Sequence, residues 1–157
     1  IVDKMPLNFF WIGLIMMTMP ESKIVHVRRD ARATCWSIFK QLFGDIGTEF
    51  SYSFEDLISF YKLYVDLMNF WHNQFPGRIY DLDYDNLTIN QELVTRDLLE
   101  YLDLEFSYTC MDFHKTKRII NTASAKQVRQ KMYQGSSASW LKYAKYLPQL
   151  TNGLKDY

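Results

Sequence analysis

The chain has 157 residues, a length typical of a single domain, and it carries 18 basic and 18 acidic side chains. Because the formal net charge is zero, the chain as a whole does not attract duplex DNA or an anionic membrane, and we expect no nucleic-acid partner. Hydrophobic residues make up 48% of the sequence and aromatic residues 17%, which excludes a disordered or fibrous protein and favours a dense core.

The first predicted elements are a helix and a short strand. Asn8 can cap a helix over 9–19, and Pro20 ends it because proline has no backbone N–H to donate. This apolar run is well short of the roughly 20 residues that span a bilayer, so we expect no membrane span. A β-rich run over 23–28 then predicts a buried strand.

Two longer helices are predicted next. Asp30 is placed to cap a helix over 31–43, and Gly44 closes that helix. Ser53 opens a second helix that runs to about residue 75. Its apolar side chains are spaced by threes and fours, which indicates that one face of the helix lies in the core.

The second half of the chain predicts a strand over 78–82, a helix over 90–101 and short helices over 107–157. Two strands joined by helical crossovers cannot form a hairpin, so they belong to a parallel sheet. The expected fold is α/β, helix-rich and three-layered, with the parallel sheet flanked by helices. Two strands alone cannot form such a sheet, so either the fold is incomplete at its N-terminus or a partner supplies the missing strands.

The cysteines and histidines give no metal-binding pattern in the sequence. Cys35 and Cys110 form no cluster, and we expect two free thiols in a reducing compartment. His26, His72 and His114 are far apart in the chain, and none has a companion three or four residues away, so no zinc site is expected. Because the thiols are unpaired and no secretory segment is visible, we expect a cytoplasmic protein.

The stretch over 25–37 is the most informative part of the sequence. Its strand ends in two arginines, Asp30 follows as a helix cap, and Ser37 lies two turns along that helix. Ligands of open α/β sheets bind beyond the carboxyl ends of the strands, and a helix N-terminus favours anions. Arg29 and Ser37 are therefore candidates for an anion site. The alternative is that Arg29 pairs with Asp30 or another acid and is purely structural.

This stretch resembles the 3′-phosphate-binding segment of sulfotransferases, in which a strand ends in an arginine and a serine follows eight residues later. Arg29 and Ser37 have that spacing. The similarity extends over most of the chain and is to bacterial sulfotransferases related to tyrosylprotein sulfotransferases. Its segments occur in the order of that family, at 3–8, 20–30, 84–87, 124–128 and 135–140.

The resemblance implies transfer of a sulfuryl group from 3′-phosphoadenosine 5′-phosphosulfate to a hydroxyl or amine, on a P-loop NTPase-like fold and without a metal. Arg29 and Ser37 would hold the 3′-phosphate, and Tyr84 would line the adenine side. Lys4 would stabilise negative charge on the bridging and leaving oxygens. A late loop that closes over the nucleotide would contribute Ser124, Gln127, Val128 and Lys131. The alternatives are that Tyr84 only packs on a helix and that the two lysines are ordinary surface residues.

The sequence also departs from the family pattern. The Gly/Ser/Thr-rich loop that grips the 5′-phosphosulfate is expected before Lys4 and is absent from these 157 residues. Pro6 stands where the cytosolic branch has a histidine base, Gln41 replaces an arginine of some relatives, and Ser139 stands where a basic residue precedes the late tryptophan. We therefore expect this chain alone to be inactive.

Two hypotheses follow from the pattern and its departures. In the first, residues 1–157 are the C-terminal portion of a single sulfotransferase domain. In the second, the chain is a catalytically inert nucleotide-binding or interaction module derived from that fold. A nucleotide kinase is disfavoured because the sequence has no Walker lysine and no magnesium-binding acid in context.

The expected partners are a nucleotide sulfate donor and a hydroxyl-bearing acceptor, for which peptide tyrosine, a carbohydrate, a lipid and a small phenol all stay open. The strand over 23–28 is expected to neighbour the strand that leads into the missing phosphate loop. Without that neighbour its edge would present unpaired backbone groups. The sequence therefore also predicts self-association through an incomplete sheet.

Overall fold

Two parallel strands form the sheet of the protein, which a computed structural model describes for residues 1–44, 47–115 and 128–157. The helices and strands of these ranges are, in chain order, a 3-10 helix Pro6–Trp11, α1 Ile12–Thr18, β1 Ile24–Arg28, α2 Ala31–Phe39, a 3-10 helix Glu49–Tyr52, α3 Phe54–Gln74, β2 Ile79–Asp83, α4 Tyr84–Ile89, α5 Gln91–Tyr101, 3-10 helices Tyr108–Lys115 and Ser136–Tyr146, and α6 Pro148–Gly153.

The predicted parallel pairing is confirmed. The register of β1 and β2 runs from Ile24 opposite Ile79 to Arg28 opposite Asp83, with α2 and α3 forming the crossover between the strands. The hydroxyl of Tyr101, at the end of α5, donates to the Arg78 carbonyl at 2.8 Å and lies 3.2 Å from the Ile24 carbonyl. One phenol thus contacts the beginnings of both strands.

One hydrophobic cluster joins the sheet to α1 and α3. Its buried members are Ile12, Met16, Met68 and Ile79. Gly13 on α1 lies against the indole of Trp71, and a Cβ at that position would come within 2.7 Å of the ring. The same indole donates to the Phe9 carbonyl at 2.8 Å. The glycine therefore allows the helix and the ring to approach closely.

A second cluster packs α2 and α3 against the C-terminal helix α6. It consists of Ala31, Cys35, Leu57, Leu147, Leu150 and Leu154, all at most 5% exposed. The C-terminal segment thus packs against α2, which follows β1, and against α3, which precedes β2. This return brings the 3-10 helix Ser136–Tyr146 next to α2, beside the carboxyl end of β1.

Two predicted helix caps are confirmed. The Asp30 carboxylate accepts the N–H of Ala33 at 2.8 Å, and the Ser53 hydroxyl accepts the N–H of Asp56 at 3.4 Å. In addition, Asp83 caps a short helix that the sequence analysis did not identify, by accepting the N–H of Asn86 at 2.8 Å. Short polar side chains therefore set where three of the helices begin.

Two predicted helix boundaries are wrong. Asn8 does not cap a helix, because its side-chain amide donates to Asp3 at 2.6 Å and the chain winds as a 3-10 helix from Pro6 to Trp11. The helix expected over 31–43 ends at Phe39. The Phe43 carbonyl instead accepts the hydroxyl of Tyr52 from the next 3-10 helix, so residues beyond 40 belong to a loop.

The described residues form a helix-rich α/β structure with a small parallel sheet, which agrees with the expected fold class. Within these residues β1 pairs with β2 alone, and Val27, the next-to-last residue of β1, is 55% exposed. None of the helices in the described ranges combines the length and apolar character that crossing a membrane requires.

Candidate functional site

A cleft of about 560 Å³ lies between α3 and the sheet face that carries His26 and Asp81, and it opens at the carboxyl ends of both strands. We call it the strand-end cleft. Two arginines and four aspartates are among its lining residues, which are His26, Arg28, Arg29, Asp30, Ala31, Tyr61, Tyr64, Val65, Met68, Asn69, His72, Asp81, Asp83, Asp85 and Tyr157.

Arg29 directly follows β1 and is half-buried at the mouth of the cleft. Its Nε donates to the Ser137 hydroxyl at 2.8 Å, and its guanidinium lies 5.3 Å from the centre of the Tyr84 ring. A hydroxyl acceptor and an aromatic face thus orient the side chain from two sides. The structure therefore brings Arg29 together with Tyr84, as expected of two residues at neighbouring strand ends.

The carboxylate next to Arg29 is engaged elsewhere. Asp30 accepts a hydrogen bond from Arg32 at 3.1 Å in addition to capping α2. Among the residues that the structure describes, no carboxylate lies within 4.0 Å of the Arg29 guanidinium. The structural alternative, in which Arg29 pairs with Asp30, is not what the geometry shows, and the terminal nitrogens of Arg29 can bind an anion.

Further polar groups surround the first turn of the 3-10 helix Ser136–Tyr146. Arg32 packs over the ring of Trp140, with 5.0 Å between its guanidinium and the ring centre. Both the Nε of Arg32 and the hydroxyl of Ser136 are buried and have no hydrogen-bond partner in the described part of the chain. Buried polar groups without partners are rare in folded proteins.

The other predicted site residues lie elsewhere. Ser37 is half-buried on α2 and does not line the strand-end cleft. Lys4 is exposed ahead of the first 3-10 helix, and Val128 and Lys131 are exposed just before the 3-10 helix Ser136–Tyr146. Ser124 and Gln127 lie outside the described residues.

A second cluster of functional groups also lines the strand-end cleft. Asp81 on β2 lies 2.6 Å from the Nδ1 of His26 on β1 and 3.3 Å from the Nε2 of His72 on α3. The other ring nitrogen of His26 hydrogen-bonds the hydroxyl of Tyr64, also on α3. Arg28 completes the cluster, with 3.8 Å between its guanidinium and the second Asp81 oxygen.

Burial shifts the pKa values of His26 and Tyr64 in this cluster. It lowers the pKa of His26, and the hydrogen bond and charge of Asp81 oppose that effect only in part, so the imidazole is neutral at pH 7. Burial also raises the pKa of Tyr64 to about 12, so its phenol keeps its proton. The His26 Nδ1–H therefore donates to Asp81, and the Nε2 accepts from Tyr64.

Sequence reasoning missed Ser137 and the histidine pair. Ser137 lies within the 135–140 segment, and its signal was the run of small polar residues after Gly135, to which no role was assigned. The signal for the pair was weaker, because His26 and His72 are 46 positions apart in the sequence and meet only through the crossover, with 6.2 Å between their ring centres.

Comparison with known proteins decides the family. The sequence model of the Sulfotransferase family matches residues 1–108, more than half of the chain. The chain belongs to the sulfotransferase family. The match includes Lys4, Arg29, Ser37 and Tyr84, and the resemblance that the motifs predicted is thereby confirmed at the level of the family. Membership also makes a transferase the kind of enzyme to consider.

The chain is also similar to an uncharacterized protein of Aquifex aeolicus (strain VF5). The two are 37% identical over 160 residues, which cover 99% of this chain and 21% of that protein. The sulfotransferase-family chain therefore spans about a fifth of the length of this relative.

Proposed function

We propose that this chain supplies the 3′-phosphate half of a site that transfers a sulfuryl group from 3′-phosphoadenosine 5′-phosphosulfate to a hydroxyl or amine acceptor. The observation that carries the proposal is the guanidinium of Arg29, which lies at the mouth of the strand-end cleft without a carboxylate partner among the described residues. Family membership supplies the class of reaction, and this arginine supplies a place for the donor nucleotide.

Arg29 fits the 3′-phosphate because a planar guanidinium can donate two parallel hydrogen bonds to a phosphate. Its Nε is already held by Ser137, so the outer nitrogens are oriented in advance and lose little freedom on binding. The Tyr84 ring lies 5.3 Å from the guanidinium, and it is proposed to line the adenine side on the strength of the family resemblance. Ser37, half-buried on α2, is proposed as a further hydroxyl donor on the strength of the sequence spacing.

The proposed transfer breaks the bond between the sulfur and the 5′-phosphate oxygen and forms a bond between the sulfur and the acceptor oxygen or nitrogen. The leaving 3′,5′-bisphosphate carries the negative charge, and the acceptor proton passes to a base. Lys4 is proposed to stabilise the leaving phosphate, and Ser124, Gln127, Val128 and Lys131 are proposed to cover the nucleotide. These five assignments rest on the family resemblance. The chemistry needs no metal ion.

We further propose that residues 1–157 form the C-terminal portion of one P-loop NTPase-like sulfotransferase domain. The chain alone would then bind a nucleotide through the 3′-phosphate without transferring sulfate, because its sequence has no Gly/Ser/Thr-rich loop for the 5′-phosphosulfate. The second candidate is an inert nucleotide-binding or interaction module. The departures at Pro6 and Ser139 favour this second candidate.

Calorimetry with two nucleotides tests the proposal. The protein should bind adenosine 3′,5′-bisphosphate far more tightly than adenosine 5′-phosphate, because only the first carries the group that Arg29 recognises. Equal binding of the two would remove Arg29 from its proposed role. Transfer of labelled sulfate to a panel of tyrosine peptides, carbohydrates, lipids and phenols, measured on a longer natural form that includes the upstream coding sequence, then separates an enzyme from an inert module.

A further inference from the structure

The strand-end cleft holds three metal-ligating side chains that come from three different elements. His26 lies on β1, Asp81 lies opposite it on β2, and His72 reaches both from α3. One ligand atom from each residue lies within 4.8 Å of the other two. Two imidazole nitrogens and a carboxylate oxygen thus lie close together, although the residues are far apart in the sequence.

We propose that His26, His72 and Asp81 form a binding site for a divalent transition-metal ion, of which Zn²⁺ fits best. Zn²⁺ takes imidazole nitrogens and carboxylate oxygens in a tetrahedral shell at about 2.0–2.2 Å, and it prefers this mixed donor set to an all-oxygen one. Mg²⁺ and Ca²⁺ are disfavoured because they prefer oxygen ligands. The three residues leave the fourth position of such a shell to water.

The Asp81 oxygen already lies near the distance that a tetrahedral zinc shell requires from each histidine nitrogen. Donor atoms of a tetrahedral zinc shell are about 3.4 Å apart at these bond lengths. Asp81 now lies 3.3 Å from the nitrogen of His72 and 2.6 Å from that of His26. The contact with His26 must therefore open by less than an ångström, as the metal replaces the proton that His26 and Asp81 share.

Tyr64 provides the outer contact that metal-bound histidines usually have. Its hydroxyl hydrogen-bonds the Nε2 of His26, which directs the Nδ1 of the same ring toward Asp81. When the metal occupies the Nδ1, the proton resides on the Nε2 and donates to the Tyr64 oxygen. Such contacts fix the orientation of a ligating imidazole and strengthen its binding.

The surrounding charges permit a cation. Arg28 lies 3.8 Å from Asp81 and opposes metal binding, but its side chain is 65% exposed and can turn into solvent. Asp83 and Asp85 line the same cleft and attract a cation toward it. The side chains of His72 and Asp81 are 33% and 36% exposed, so an ion can enter from the solvent.

The proposed metal site is distinct from the nucleotide site. Arg29 contacts Ser137 and Tyr84, and within the described residues it makes no hydrogen bond or ion pair with any of the three metal ligands. The ion would hold β1, β2 and α3 together without taking part in sulfate transfer. A chain that binds no nucleotide would therefore not contradict the metal proposal, and a chain that binds no Zn²⁺ would not contradict the proposed function.

Calorimetric titration of the full chain with Zn²⁺ tests the site, with Mg²⁺ titrated in parallel. We expect one zinc ion per chain, and at least a tenfold loss of affinity in both His72→Ala and Asp81→Asn. His114→Ala is the matched control, because it removes a histidine outside the cluster and should leave the affinity unchanged. A Tyr64→Phe variant should bind about 10- to 100-fold more weakly, as expected for loss of an outer contact.

Two further measurements keep the test decisive if a variant folds poorly. Co²⁺ bound to the unmodified chain should give the visible absorption bands of a tetrahedral site, and Zn²⁺ at about a hundredfold over its dissociation constant should raise the Tm by roughly 5–10 °C. The proposal is overturned if the unmodified chain binds no Zn²⁺ at millimolar concentration. It is also overturned if His114→Ala weakens binding as much as His72→Ala.

Discussion

Arg29 and Ser137 are 108 positions apart in the chain, yet the Nε of the arginine donates to the serine hydroxyl at 2.8 Å. The bond joins the end of β1 to the first turn of the 3-10 helix Ser136–Tyr146, so the C-terminal third of the chain helps to position the arginine that follows the first strand. A donor site built on Arg29 therefore depends on both ends of the sequence.

Removal of the Arg29 side chain should weaken binding of adenosine 3′,5′-bisphosphate and leave binding of adenosine 5′-phosphate nearly unchanged. Loss of charge-assisted hydrogen bonds to the 3′-phosphate should cost Arg29→Ala about 2–3 kcal/mol, or about 30- to 150-fold in dissociation constant. Arg28→Ala is the matched control, because it removes the same charge from the adjacent position and the same cleft. Equal losses in the two variants would mean that the cleft attracts anions only through its general charge.

The same titration can compare how much two serines contribute to binding of adenosine 3′,5′-bisphosphate. Ser137→Ala removes the hydroxyl that holds the Nε of Arg29, and we expect a loss of about 1 kcal/mol for the 3′,5′-bisphosphate because the guanidinium is less well oriented. Ser37→Ala tests the spacing argument directly. A loss only in Ser37→Ala would show that Ser137 serves packing, whereas a loss only in Ser137→Ala would move the serine of the site to the C-terminal segment.

The thiol of Cys35 should resist alkylation. Burial raises the pKa of Cys35 to about 12, and the nearby Asp30 charge acts in the same direction, so the reactive thiolate is scarce between pH 7 and 9. Cys110 is exposed and serves as the internal control. Iodoacetamide followed by mass spectrometry should find one modified cysteine in the native chain and two after denaturation. Modification of Cys35 at the rate of Cys110 under native conditions would contradict the packing of α2 against α3 and α6.

The second hydrophobic cluster should dominate the stability of the helical part. Leu57 belongs to this cluster and is 1% exposed. Leu57→Ala should lower the free energy of unfolding by about 2–5 kcal/mol, because it loses buried surface and leaves a cavity. Leu63→Ala on the same helix is the control, because Leu63 is 67% exposed and should change the stability by no more than about 0.5 kcal/mol. Urea unfolding followed by circular dichroism measures both.

The open edge of β1 should promote self-association of the chain. Val27, the next-to-last residue of this strand, is 55% exposed, and within the described residues β1 has β2 as its one neighbour. Light scattering should detect dimers or larger species, and Val27→Lys should reduce them because a charge on an edge strand disfavours pairing. Leu63→Lys, on the exposed side of α3, should have no such effect. A monomeric wild-type chain at high concentration would contradict this expectation.

The parts of the fold that depend on local chemistry could be predicted from the sequence. Asp30 and Ser53 cap helices because their side chains meet backbone groups three residues ahead, and the parallel pairing follows from helical crossovers. Arg29 and Tyr84 could be placed because both follow strands of one sheet. Contacts between distant elements could not be predicted, since no local pattern brings His72 against Asp81 or Ser137 against Arg29.

The phenol of Tyr101 lies at the end of the sheet opposite Arg29 and Tyr84. It lies at the carbonyls of Ile24 and Arg78, where the two strands begin. Side chains alternate between the faces of a strand, so a shift of β2 by one residue would turn Asp81 away from His26. The same shift would also displace Tyr84 from beneath Arg29. Tyr101 therefore helps to fix the register of the two strands at the point where they begin. The alignment of the functional side chains, up to four residues further along, depends on that register.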